Sequence, residues 1–163
     1  CPKCGHKLDN SGKEPTCNSC GFIFYQNSKP CAGIFLLKGQ QVLLCKRGRA
    51  PYIHEYDVVG GFLDHGELPE TGIHREVQQQ MGVKVKIIEL LGFYINNYGS
   101  KDVKTLDIFY VGKIVSGNPK SHDDIEALEW HPINKLPKTP MLSVTKALND
   151  LPKWYRTHKS LLK

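Results

Sequence analysis

The chain has 163 residues, enough for one domain of ordinary size and a small appendage, with 40% hydrophobic and 23% charged residues. No apolar run reaches the eighteen or so residues a transmembrane helix needs, and no secretory signal is visible, so no membrane partner is expected and the cytoplasm is the expected compartment. The formal net charge of +6 favours encounter with polyanions such as nucleotides or pyrophosphates, but Lys and Arg are spread along the chain and form no dedicated arm, so nucleic acid is not an expected partner.

At the amino end Cys1, Cys4, Cys17 and Cys20 form two CxxC pairs, CPKCG and CNSCG. This spacing lets two tight turns offer four thiolates to one tetrahedral Zn²⁺, with no coordination position left for a substrate. Two disulfides or a redox CxxC are the competing readings, and a reducing compartment disfavours structural disulfides. So short a segment buries too little core to fold alone, so metal binding would supply its folding free energy.

Residues 25–30 read as a linker. Ala32–Leu37 and Val42–Arg47 are β-rich runs joined by Lys38, Gly39, Gln40 and Gln41, and read as a hairpin. Cys31 and Cys45 lie inside these apolar runs, where a lone cysteine is expected to act as a small core residue. An irregular aromatic segment, RAPYIHEYD, then leads through Val58–Phe62 into the most informative stretch, GFLDHGELPETGIHREVQQQMGV. Pro69 at a first helical position and Gly82 just past Met81 bracket a helix of about three turns. Ile73, Val77 and Met81 form one apolar stripe, while Glu76, Gln79 and Gln80 share a neighbouring stripe and can converge on one point. Beyond the helix, Val83–Ile95 and Leu106–Val115 read as strands separated by a turn at Asn96–Gly99. Ile125–Pro137 gives a short strand and a loop, and Met141–Leu148 a second helix followed by the basic aromatic segment WYRTHKSLLK.

The central stretch resembles the signature of the Nudix hydrolase family, Gx5Ex7REUxEExGU with U aliphatic. Gly61, Glu67, Arg75, Glu76, Val77, Gly82 and Val83 fall on it in register, while Gln79 and Gln80 stand where the family has adjacent glutamates. The resemblance implies an α/β/α sandwich with a mixed sheet over residues 27–150, a zinc ribbon over 1–26 before it, and a basic aromatic tail over 151–163. It implies a metal-dependent pyrophosphohydrolase acting on a nucleoside diphosphate linked to another moiety, and a homodimer is common in the family. Glu67 and Arg75 would brace the loop against the helix, and Glu76 with the residues at 79 and 80 would hold Mg²⁺ or Mn²⁺, helped by a backbone carbonyl near Gly60 or Gly61. Glu126 is the expected downstream carboxylate, with Asp123, Asp124 and Glu129 behind it.

Arg47, in a CKRG context similar to that preceding many such signatures, is placed to meet a phosphate or to form a strand-end ion pair. Tyr52 and Tyr94 are the expected base-stacking aromatics, against a core role for each. The ribbon is similar to that of the NADH pyrophosphatase branch, but the SQPWPFP-type motif of that branch is missing downstream. Hard divalent cations take oxygen ligands, chiefly carboxylates. Two glutamines at 79 and 80 remove two formal charges, so metal affinity and catalysis are expected to be strongly weakened. The alternative is a non-catalytic nucleotide-binding or protein-interaction module on the same fold.

Overall fold

The computed structural model describes residues 1–162. Seven strands join in one mixed sheet: β1 (Lys29–Lys38), β2 (Gln41–Arg47), β3 (Tyr56–Asp57), β4 (Val59–Phe62), β5 (Lys84–Asn97), β6 (Lys104–Ser116) and β7 (Ile125–Pro132). Helices α1 (Pro69–Met81) and α2 (Leu142–His158) cover its two faces.

Strand β1 organises the sheet. Along one edge it pairs in parallel with β6 from Lys29 to Leu36; along the other it pairs with β4 over Cys31–Ile34 and with β2 over Leu36–Lys38. Its central residues are buried on both faces, as expected for a strand sandwiched between helices. Ile34 and Leu36 meet Ile73, Val77 and Met81 of α1, whereas Phe35 and Leu37 join the cluster formed with Leu148, Leu151 and Trp154 of α2. The two-residue side-chain period of the strand thus feeds two cores. Cys45 belongs to the α1-side core, whereas Cys31 is only partly buried and lines a cavity.

Helix α1 spans Pro69–Met81 with Pro at its start, and Gly82 ends it in the left-handed conformation, donating its N–H to Gln78 O at 3.0 Å. The expected stop of the second helix near Leu148 gives way to a helix running to His158, with Pro152 inside it. Leu148, Leu151 and Trp154 recur at helical spacing against the sheet, and Trp154 Nε1 donates to Glu89 at 2.7 Å. That burial outweighs the backbone hydrogen bond that Pro152 cannot donate. The expected turn at Asn96 is likewise absorbed into β5: Asn96 and Asn97 pair with Thr105 and Lys104, and the turn begins after them.

The amino-terminal segment has only single bridges, Asp9 with Thr16 and Thr16 with Ile23. Two tight turns end on glycine, with Gly5 donating to Cys1 O and Gly21 to Cys17 O, at φ of 78° and 70°. Only glycine takes these left-handed angles without cost, which explains the Gly after each CxxC. No helix among the described residues is long and apolar enough to cross a membrane.

Candidate active site

The four amino-terminal thiols converge. Their Sγ atoms all lie within 4.8 Å of one another, with Cys1–Cys20 at 3.7 Å and Cys4–Cys17 at 3.5 Å. Four sulfurs about 2.3 Å from one zinc would stand about 3.8 Å apart, whereas a disulfide needs about 2.05 Å. Burial pushes the Cys17 thiol up, yet the backbone N–H groups of Cys20 and Ser19 outweigh it and bring it down to about 7. The donor set fits a structural zinc ion held by Cys1, Cys4, Cys17 and Cys20.

A cavity of about 350 Å³ opens where β4 and α1 meet β1 and β6. Its upper wall is the signature loop and helix. A Cβ on Gly60 would lie 2.2 Å from Ala32 O, and one on Gly61 would lie 2.5 Å from Glu76 Oε1. Gly60 is therefore required for β4 to lie against β1, whereas a side chain at 61 would displace the Glu76 carboxylate.

Arg75 ties the signature loop to α1. Its Nε and Nη2 donate to the two carboxylate oxygens of Glu67 at 2.9 and 2.7 Å, Nη2 also to Phe62 O at 3.0 Å, and Nη1 to Glu76 Oε1 at 2.6 Å. Such a fork on a carboxylate sets geometry as well as energy. The Arg75 hydrogen bonds, aided by the Asp64 N–H, hold the Glu67 carboxyl down at about 2. Glu76 goes the other way: burial raises it, Arg75 opposes, and the nearby charges of Asp124 and Asp123 raise it further.

Gln79 and Gln80 part company. Gln79 is exposed at the cavity rim, its Oε1 accepting a long bond from Arg75 at 3.4 Å. Gln80 is 4% exposed, and its amide makes three bonds. Oε1 accepts from Gly60 N–H at 3.2 Å, and Nε2 donates to Gly60 O and to Glu76 Oε2, both at 3.0 Å. The amide cannot be turned over, because Nε2 would then face the Gly60 N–H, donor against donor. The NH₂ group thus already serves the backbone carbonyl and the helix carboxylate that would be oxygen ligands of a divalent cation. As arranged, these residues do not fit a metal ion at this position.

The remaining expected residues divide between the cavity and elsewhere. Arg47 lines it, with Nη1 on Asp57 Oδ2 at 2.9 Å and Nε on Pro51 O at 2.8 Å, so it is both a strand-end ion pair and a cavity wall. Burial raises the Asp57 carboxyl, and Arg47 opposes. Asp123 and Asp124 line the cavity; Glu126 does not, lying exposed with its carboxylate 2.5 Å from His54 Nδ1, and Glu129 pairs with Lys46 at 2.9 Å. Neither tyrosine lines the cavity. Tyr52 donates to Asn97 O at 2.5 Å, and Tyr94 is buried against Phe109 with ring centroids 5.5 Å apart, its hydroxyl on Asp150 at 3.3 Å. Residues that sequence reasoning missed are Asn96, Thr105, Asp107 and Ser143, which line the deep end.

A profile of the NUDIX domain matches residues 27–152. The ADP-ribose pyrophosphatase of Methanocaldococcus jannaschii is 28% identical over 117 residues, covering 72% of this chain and 69% of that protein. The NAD-capped RNA hydrolase NudC of Pseudomonas aeruginosa is 29% identical over 156 residues; the match takes in 93% of this chain but only 54% of that protein, so the chain spans about half the length of such relatives. A NUDIX hydrolase structure from Nitrosomonas europaea superimposes with a TM-score of 0.75 over 97% of this chain and 92% of its own, and at 22% identity that likeness speaks to the fold. The signature helix, its braced loop and the extent of the profile match agree that this chain belongs to the Nudix hydrolase family.

Proposed function

We propose that this chain binds a nucleoside diphosphate joined to a second moiety, with the P–O–P bond at the loop and helix of the signature, and that its hydrolytic turnover is impaired. The relatives named for ADP-ribose and NAD-capped RNA support the substrate class. The three hydrogen bonds of the Gln80 amide carry the second half of the proposal. Water attack on a pyrophosphate needs developing charge to be offset at the bridging and terminal oxygens. In this chain Arg47 is the cationic side chain on the cavity wall with the least carboxylate engagement, because Arg75 is committed to Glu67 and Glu76. Arg47 would therefore position a phosphate, and Asp124, rather than Glu126, would complete the acidic edge in an active form.

A second reading, a nucleotide-binding module without turnover, draws on the same amide, since a site satisfied without a cation has no vacancy for one. Hydrolysis of ADP-ribose, NADH, dinucleoside polyphosphates and nucleoside triphosphates with Mg²⁺ or Mn²⁺, followed by chromatography of the nucleotide products, separates the two. Activity in a Gln79→Glu, Gln80→Glu variant and little in the parent is expected for a silenced hydrolase. Silence in both, with nucleotide binding retained, identifies a binding module. Equal activity in both overturns the assignment of impairment to the two glutamines.

A further inference from the structure

Below the signature loop the cavity ends in a polar floor that the proposed pyrophosphate chemistry does not use. Thr105, Asp107 and Phe109 alternate onto one face of β6, and the strand register sets Asn96 beside Thr105 and Cys31 beside Asp107. Ser143 arrives from the first turn of α2, which is tied down by the Leu142 N–H donating to Asn96 Oδ1 at 3.1 Å. All four polar residues are nearly sealed: Asn96 is 4% exposed, Thr105 1%, Asp107 7% and Ser143 0%.

The hydroxyls of Thr105 and Ser143 have no hydrogen-bond partner among the described residues. Buried hydroxyls are nearly always paired, because an unpaired one forfeits its hydration without return. Two of them lining one cavity point to a ligand that supplies what the chain does not. Asp107 narrows the ligand's chemistry, because its carboxyl oxygens offer hydrogen-bond acceptors and so favour donors opposite them. Phe109, Met141 and Val144 line the same space with apolar surface, which suits a flat ring.

We propose that this floor recognises a flat heteroaromatic ring bearing an amino or carboxamide group, whose N–H₂ donates to Asp107 while Thr105 and Ser143 serve the ring's other polar edges. This deepens the reading of the cleft as a nucleotide site and rests on it. The shared chemistry, an N–H₂ on a planar ring, belongs both to amino-bearing nucleobases and to nicotinamide.

Calorimetric titration of paired ligands in magnesium buffer tests the assignment: CDP against UDP, GDP against IDP, and nicotinamide mononucleotide against nicotinic acid mononucleotide. Each pair differs by the N–H₂ group alone or by its replacement with an oxygen. In one pair or more the N–H₂ member should bind roughly tenfold tighter or better, and Asp107→Leu, which keeps the bulk but offers no acceptor, should erase the preference. The pair that discriminates distinguishes base from nicotinamide. Thr105→Val and Ser143→Ala provide a second check that survives a misfolded Asp107 variant. Each removes an unpaired hydroxyl, so each should raise the ligand-free Tm, by about 2–4 °C, while weakening the preferred ligand.

Nucleotides that bind without discrimination in any pair, or a preference that persists in Asp107→Leu, would overturn the subsite and leave the cleft reading standing. Hydroxyl variants that leave affinity unchanged would show that water alone occupies the floor and would also overturn it. Failure of every ligand to bind would remove both readings.

Discussion

Gln80 grips both polar groups of Gly60, taking the N–H on its amide oxygen at 3.2 Å and giving its NH₂ to the carbonyl at 3.0 Å. The same NH₂ reaches Glu76 at 3.0 Å. A carboxylate at this position would keep the first bond and turn the other two into contacts between acceptors. Gln80→Glu should therefore destabilise the metal-free protein by about 1–3 kcal/mol, the cost of leaving buried polar groups unpaired. Millimolar Mn²⁺ or Mg²⁺ should return much of it, since a cation can take the place of the lost donor. Thermal unfolding in EDTA and in metal, for parent and variant, checks this; a parent Tm that rises with metal as much as the variant's would refute it.

Glu67 provides a pH test with a definite sign. Its folded-state value of about 2 lies below the ordinary 4.5, so the unfolded chain binds the proton more readily. The stability it contributes is complete above about 4.5 and is lost as pH falls from there through about 2. Urea midpoints at pH 7, 4 and 2.5 should fall more steeply for the parent than for Glu67→Gln, which is weaker at pH 7 but has no carboxyl there to titrate. Parallel curves for the two proteins would show that the Arg75 brace contributes nothing to acid sensitivity.

The thiol cluster predicts one zinc per chain by elemental analysis. Chelation should unfold residues 1–26, seen as new protease cleavage within that segment, while the sheet keeps its cooperative transition, because the two cores described above lie in the strands and helices after Lys29. Cys17→Ser should do the same without a chelator. A protein with no bound zinc and unchanged proteolysis would sink the assignment.

Trp154 tests the length of α2. It is 8% exposed and holds Glu89 through its indole N–H. Trp154→Ala should cost about 3–5 kcal/mol if the helix is a working part of the core through its last turns. A loss below about 0.5 kcal/mol, the range of an ordinary surface change, would mean that the segment behaves as an appended tail.

Helix α1 and its stripe of Ile73, Val77 and Met81 could be read from sequence because each depends on residues within one helix, whereas the Arg75–Glu67 brace was expected only from the family resemblance. The cysteine spacing was readable for the same local reason. Asn96, Thr105, Asp107 and Ser143 were not, since they meet only after two strands and a helix distant in sequence assemble. Glu126 marks an intermediate case. It is the extra residue of a register shift between Ile125 and Ala127, left exposed and outside the cavity, and simple alternation along IEAL does not reveal such a shift. Tyr94 followed the commoner fate of sheet aromatics, a place in the core. The reach of α2 beyond Leu148 was not legible locally, because the burial of Leu151 and Trp154 that carries it exists only against the sheet.

The two edges of β1 give the cleft a built-in measure. Strand β4 delivers Gly60 and Gly61 beside Ala32 and Gly33, while β6 delivers Asp107 and Phe109 beside Cys31 and Gly33 on the opposite edge. Adjacent strands stand about 4.8 Å apart, so the backbones of the glycine loop and the polar floor are held about 10 Å from each other by a single intervening strand. A ligand touching both must span that interval. Side-chain changes at either end leave that spacing constant, because backbone hydrogen bonds between the strands set it.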